Sequence, residues 1–223
     1  MSKLLINLAS RSRPIKFFNC LDNLRELSTL KNYTVLAKLD DDDPSTNIPG
    51  VRKKLQFYPE VQSEWGLSSS KINAINRSIG SVLESWNILI NLSDDQLFTV
   101  KGFDEIIVND MNESFTDGDG FLHYPDSSPM GQAVPTMSIM GRKYFERDGH
   151  VYHPEFFSVY ADNYAMQVAI KRGRYRFINK IIYNHNHYRW GLTEMDEQYA
   201  RQDNLGVYAK DKVVLNKLMA ELK

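Results

Sequence analysis

The chain has 223 residues, 42% apolar and 25% charged, which is the make-up of a globular protein with enough length to bury a sizeable core. Lysine plus arginine (27) nearly cancels aspartate plus glutamate (28), so the net charge of −1 excludes a protein whose main affinity comes from wrapping nucleic-acid phosphates, though not a local basic patch. The lone cysteine, Cys20, excludes an intrachain disulfide; "LLINLA" is too short for a signal segment, no apolar run nears the ~20 residues that span a bilayer, and a cytoplasmic protein is expected.

In chain order, "KLLINLA" (Lys3 to Ala9) reads as a buried strand, and "SRSRP" turns the chain. Pro14 suits a first helical turn, and Phe17, Cys20, Leu21 and Leu24 share one helical face, so a helix is expected to about Leu27. "YTVLAKL" (Tyr33 to Leu39) is a second strand that ends in "DDDDPS". A loop and a helix follow. In "SSSKINAINRSIGSVLESW", Ser69 or Ser70 is a cap, and Ile72, Ile75, Ile79, Val82 and Leu83 form a helical stripe. "NILINL" is another strand and runs into Asp94 and Asp95. Strands alternating with helices predict an α/β protein with a mostly parallel sheet and ligands at the carboxyl ends of its strands. After Asp110 the texture changes: "ESFTDGDGFLHYPDSSPMGQAVP" reads as loops with short strands. A helix is expected over Ala161 to Lys171, a basic strand-like stretch in "YRFINKIIYNHNHYRWG", and a closing helix in "KDKVVLNKLMAELK".

In a parallel sheet the two acid clusters, Asp40 to Asp43 and Asp94 with Asp95, fall on the same sheet edge. Taken alone, the first is also a solvated acidic loop and the second a helix N-cap. Together they suit a nucleoside at one cluster and a hard divalent cation at the other. Lys71, Asn76 and Arg77 belong to the same edge; the lysine and the arginine would neutralise a diphosphate, or the three form an ordinary solvated helix face. His185 and His187, two apart on a strand, would point the same way, so one of them could join the carboxylates as a metal ligand. Asp162 opens a helix behind Phe156, Phe157 and Tyr160; it is either a general base or an N-cap, or both. Lys171, Arg172, Arg174, Arg176, Lys180 and Arg189 form a basic tract that could meet phosphates, or else be a solvated edge. The loop Thr116 to Ser127 is a candidate acceptor wall.

The ordered motifs "DDDDPS", "SKINAINR", "NILINLSDD", "GFDEI", "YHPEFFSVYADN" and "HNH", spread from Lys3 to Tyr199, resemble the GT-A nucleotide-sugar glycosyltransferases. The resemblance is to the bacterial and phage members of the inverting family 2 type. It implies a single GT-A (Rossmann-like) domain over 1–223, with a nucleotide-sugar-binding half (1–110) and an acceptor-side half (111–223). By this resemblance Asp41 and Asp42 match the Asp-Asp-x-Ser segment that contacts base and ribose. Lys71, Asn76 and Arg77 match the segment that reaches the diphosphate. Asp94 and Asp95 match the Asp-x-Asp region that holds Mn²⁺ or Mg²⁺, and His185 or His187 a histidine that completes the metal site. Asp162 matches the acid that deprotonates the acceptor. Leu92 or Ser93 replaces the first acid of Asp-x-Asp, and Tyr164 stands where relatives often carry Glu. The resemblance implies a metal-dependent inverting glycosyltransferase that takes a nucleotide-diphosphate sugar and transfers it to a saccharide or a modified base in DNA. A nucleotidyltransferase and a non-catalytic nucleotide-sugar-binding module are the alternatives.

Overall fold

In the computed structural model, which describes residues 2–82 and 85–222, apolar strands stack into one central sheet. Its strands are β1 (Leu4–Ser10), β2 (Tyr33–Asp40), β3 (Val61–Gly66), β4 (Ile88–Ser93), β6 (Phe121–His123), β7 (Ser138–Gly141) and β8 (Tyr175–Phe177), in the order β3-β2-β1-β4-β7-β6-β8. All are parallel except β7, which runs against β4 on one side and β6 on the other. Two short strands, β5 (Gln96–Phe98) and β9 (Tyr183–His185), pair outside this sheet. The helices are α1 (Pro14–Leu27), α2 (Pro49–Leu55), α3 (Lys71–Asn76), α4 (Phe103–Ser114), α5 (Arg142–Glu146), α6 (Ala161–Lys171), α7 (Glu197–Gln202) and α8 (Leu205–Glu221).

The sheet is covered on both faces, as the near-continuous apolar runs of β1 and β4 require. Alternate residues of β1 point to opposite sides. Leu4, Ile6 and Leu8 pack with Phe17, Leu21 and Leu24 of α1, whereas Leu5 packs with Ile72 and Ile75 of α3. The strand pairing Ala9–Ser93 and Ser10–Leu39 brings the carboxyl ends of β1, β2 and β4 level with one another.

The third expected helix is shorter than its stripe suggests. Ser70 caps it through Asn73 N, as expected, but it stops after Asn76. Ser78 is left-handed (φ 61°), and a 3-10 turn takes Ile79–Ser81. The tertiary bonds of Asn76 and Arg77 outweigh helix propensity here. The Asn76 amide donates to Tyr152 O (2.6 Å) and accepts from the backbone N–H groups of Val151 and Tyr152. Arg77 Nη2 donates to Leu39 O (2.6 Å). Ile72, Ile75 and Ile79 are still buried, while Leu83 lies outside the described residues. Strand β3 and helix α4 were not among the expected elements. The helix over Ala161–Lys171 was expected with those bounds, and α8 begins five residues before the expected Lys210.

Among the described residues, no helix is long and apolar enough to cross a membrane.

Candidate functional site

A cleft of about 410 Å³ opens at the carboxyl ends of β1, β2 and β4. Asp40, Lys71, Asp94, Asp95, Asp162 and His185 all line it, and so does His187. The two acid clusters therefore share one edge and one cavity. The acid of "DDDD" that faces the cavity is Asp40, the last residue of β2; Asp41 and Asp42, half exposed, do not line it. Asp42 is tied to the cleft through Arg11, which bonds both Asp42 and Asp40. Asp40 also accepts from Ser68 Oγ (2.7 Å) and lies 3.3 Å from Arg77 Nη1. Asn76 and Arg77 brace the floor rather than line the cavity, whereas Lys71 lines it and has no hydrogen-bond or ion-pair partner among the described residues.

The carboxylates of Asp94 and Asp95 follow directly from β4 and are both buried. Asp94 accepts from Ser10 Oγ (2.7 Å) and Arg13 Nη1 (2.9 Å), so each of its oxygens is engaged. Asp95 Oδ2 accepts from the Tyr199 hydroxyl (2.8 Å), and its Oδ1 lies 3.5 Å from His185 Nε2. Arg13 Nη1 is also 3.9 Å from Asp95. Their mutual repulsion is thus relieved by the chain's own cations. Burial pushes the Asp94 carboxyl up against the pull of Arg13. Burial would raise Asp95 too, but His185, Lys71 and Arg13 together hold it well below the carboxylate range.

His185 ends β9, which pairs with β5 so that Gln96 faces His185 and its neighbour Asp95 is alongside. The imidazole lies between two carboxylates, with Nδ1 3.4 Å from Asp126 Oδ2. Burial alone would lower it, but Asp126 and Asp95 hold it up at about 9. His187 is beyond the strand, at the N-cap of a 3-10 turn over Tyr188–Trp190, where its Nδ1 accepts from Arg189 N (3.3 Å). It faces the same way as His185 for that reason and not by strand alternation; the ring centroids are 5.2 Å apart. Burial and the charge of His185 push His187 down to about 4.

One ligand atom each of Asp95, His185 and His187 lies within 4.8 Å of the others. Asp95 Oδ1 and His185 Nδ1 are buried without a hydrogen-bond partner. One carboxylate oxygen and two imidazole nitrogens suit a divalent transition ion, and fit Mn²⁺ better than Mg²⁺, whose preferred ligands are all oxygen. The residues present fit such an ion, and Asp95 rather than Asp94 is the carboxylate grouped with the histidines.

Asp162 occupies the first turn of α6, partly buried, and accepts from its neighbour Asn163 N (2.8 Å). Burial pushes its carboxyl up.

Two expectations are corrected. Four of the six residues of the basic tract are paired with acids from elsewhere in the chain: Arg172 with Asp148, Arg174 with Asp117 and Asp119, Lys180 with Asp110, and Arg189 with Asp203. Of its six residues only Arg189 lines the cleft. The supposed acceptor wall, Thr116 to Ser127, crosses the sheet as β6. Asp117 and Asp119, before β6, pair with Lys143 and Arg147, and none of these four lines the cleft; the tail, at Asp126, reaches His185.

Arg13, Asp126 and Tyr199 were missed. Arg13 was within reach of sequence reasoning, since "RSRP" follows the first strand of an α/β sheet at its ligand edge. Nothing local in the sequence marks Tyr199, which arrives from α7 about a hundred residues after Asp95.

No family model matches the sequence, and no curated protein matches it. Solved structures do. The mannosyltransferase PcManGT from Pyrobaculum calidifontis, in complex with GDP-Man and Mn²⁺, superposes with a TM-score of 0.63 at 14% identity, over 81% of this chain and 55% of that one. S. aureus TarS 1–349 in complex with UDP-GlcNAc gives 0.65 at 11%, over 82% and 58%, and its complex with UDP gives 0.65 at 12%, over 82% and 60%. The chain spans between half and two-thirds of the length of these structures. The fold is of the GT-A type: a mostly parallel seven-stranded sheet flanked by helices.

Proposed function

We propose that this chain is a metal-dependent, inverting glycosyltransferase that moves a sugar from a nucleotide-diphosphate sugar to an acceptor hydroxyl. The observation that carries the reading is the meeting of the Asp95–His185–His187 cluster with Asp162 in one cleft at the ligand edge of a GT-A sheet. PcManGT with GDP-Man and Mn²⁺, and TarS with UDP-GlcNAc, supply the donor chemistry by analogy.

Asp95, His185 and His187 would hold a divalent ion, Mn²⁺ in preference to Mg²⁺. When bound, such an ion offsets the negative charge that develops on the departing diphosphate. Lys71, unpaired at the same wall, adds a positive charge on the donor side. Asp40, with Arg11 beside it, takes the nucleoside contact that the resemblance assigns to Asp41 and Asp42. Asp162 accepts the proton of the acceptor hydroxyl; its raised carboxyl suits that role near neutral pH. A single displacement with one base inverts the anomeric centre and needs no nucleophilic side chain.

The test is a panel of nucleotide sugars incubated with Mn²⁺, with and without saccharide acceptors. Nucleoside diphosphate release and product anomeric configuration are measured. Asp162→Asn is expected to lower transfer by about 10²–10⁴-fold while leaving donor binding in place. Nucleoside diphosphate from no donor, activity indifferent to chelator, or retention of configuration would overturn the reading.

A further inference from the structure

Asp211 stands in the middle of α8 between two lysines, where sequence alone suggests a solvated acid. It is instead fully buried. A buried carboxylate is costly unless hydrogen bonds compensate it. Here the compensation comes from three consecutive backbone N–H groups: Phe157 N donates to Oδ1 (2.9 Å), and Ser158 N and Val159 N donate to Oδ2 (both 2.8 Å). Its sequence neighbours hold the same loop from outside. The Lys210 ammonium lies 5.0 Å from the Phe157 ring centroid, and that of Lys212 lies 5.2 Å from the Tyr160 ring centroid.

The clasped segment leads directly into α6. Tyr160 follows with φ 62°, a left-handed conformation that a non-glycine residue keeps only where its surroundings over-determine it. Asp162 comes two residues later. Phe157 O also accepts from Ile72 N (3.2 Å), so the loop is pinned to α3 beside Lys71 as well. Phe157, Ser158, Val159 and Tyr160 line the cleft, whereas Asp211 does not.

We propose that Asp211 is a positioning residue for Asp162: by gathering the N–H groups of Phe157, Ser158 and Val159 it fixes the loop that aims the Asp162 carboxylate into the cleft. The role given to Asp162 rests on the glycosyltransferase reading; the geometric claim does not. Asn at position 211 keeps the size but presents an amide N–H₂ to a row of donors, so the loop must move. A displacement of about 1 Å at a reacting group costs up to about 100-fold in rate.

The experiment compares wild type, Asp211→Asn and Lys210→Met/Lys212→Met, each checked for folding by circular dichroism. In folded Asp211→Asn, kcat is expected to fall about 10–100-fold with donor KM and Mn²⁺ Kd within about twofold. The Asp162 carboxyl ¹³C signal, assigned through Asp162→Asn, is read in parallel, and its titration is expected to move; the groups facing Asp162 are Lys71, Tyr152 and His185. This second readout needs no activity. If wild type transfers no sugar, the functional reading falls, and the carboxyl signal still decides the positioning claim. If Asp211→Asn does not fold, the double lysine variant is read by the same signal. An unmoved Asp162 titration in a folded variant, or a loss confined to KM, overturns the proposal.

Discussion

Replacing Arg13 by Met should destabilise the protein well beyond the loss of its neighbour Lys16. Its guanidinium donates to Asp94 (2.9 Å) and, by two bonds of 2.7 and 2.8 Å, to Asp196, while stacking 4.0 Å from the Tyr199 ring centroid. Asp94 has a side-chain exposure of 6% and would be stranded, a loss worth about 3–5 kcal/mol when a buried pair loses one partner. Ser10 still donates to Asp94, which favours the lower end of that range. Asp196 is 31% exposed and rehydrates, so its bonds add about 0–1 kcal/mol. A net loss of about 3 kcal/mol in a chain of this size corresponds to a fall in Tm of about 6–12 °C. The assay is thermal unfolding followed by circular dichroism at pH 7, with Lys16→Met as the control. Lys16 contacts Asp196 at 3.1 Å but is 30% exposed, and its loss should cost no more than about 1 kcal/mol. The Arg13→Met deficit should narrow on acidification. Burial of an unpaired Asp94 raises its carboxyl further, so the native state binds a proton that the unfolded chain releases, and stability rises as pH falls. If Arg13→Met melts no lower than Lys16→Met, the ion pair is not what offsets the repulsion between Asp94 and Asp95.

Asp95→Asn should weaken Mn²⁺ binding more than Asp94→Asn, by at least about 10-fold, because Asp95 belongs to the histidine cluster; free Mn²⁺ measured by electron paramagnetic resonance decides the order. His185 must lose its proton to bind a metal, so Mn²⁺ affinity should rise about tenfold per pH unit and level off above about 9, and an affinity flat between pH 6 and 8 would refute this. In the metal-free protein the sign is opposite: His185 is raised, so its contribution to stability is complete below about 6.5 and is lost as pH passes about 9. Lys38, buried in β2 with its ammonium against Ile75 O, is lowered by burial to about 6. Lys38→Met should therefore raise Tm, most below about pH 6 and less and less toward pH 10, which a set of melts across that range checks.

The elements that could be read from sequence are those whose apolar period is complete within one segment. β1, β2, β4 and α1 each bury a continuous face, and Pro14 and the β4 exit punctuate them. The length of α3 was not legible, because Asn76 and Arg77 are held by Tyr152 and Leu39, partners distant in sequence. The site divides in the same way. Asp94, Asp95 and Asp162 lie next to strand or helix ends, so their edge follows from the sheet's direction. The choice of Asp40 over Asp41 and Asp42 depends on where β2 ends, and a shift of one residue turns a side chain to the other face. The fate of the basic tract depends on Asp110, Asp117, Asp119, Asp148 and Asp203, whose pairing is purely tertiary.

The pairing of Tyr199 with Asp95 has a consequence for biosynthesis. Translation delivers the two adjacent anions first, then both imidazoles some ninety residues later, and the phenol after that. A ribosome-tethered chain halted before residue 185 would already display the parallel strands, yet would hold only the carboxylate of the three-residue cluster. The last of these groups arrives with Tyr199, so a chain ended before His185 should bind Mn²⁺ far more weakly than one that extends past Tyr199.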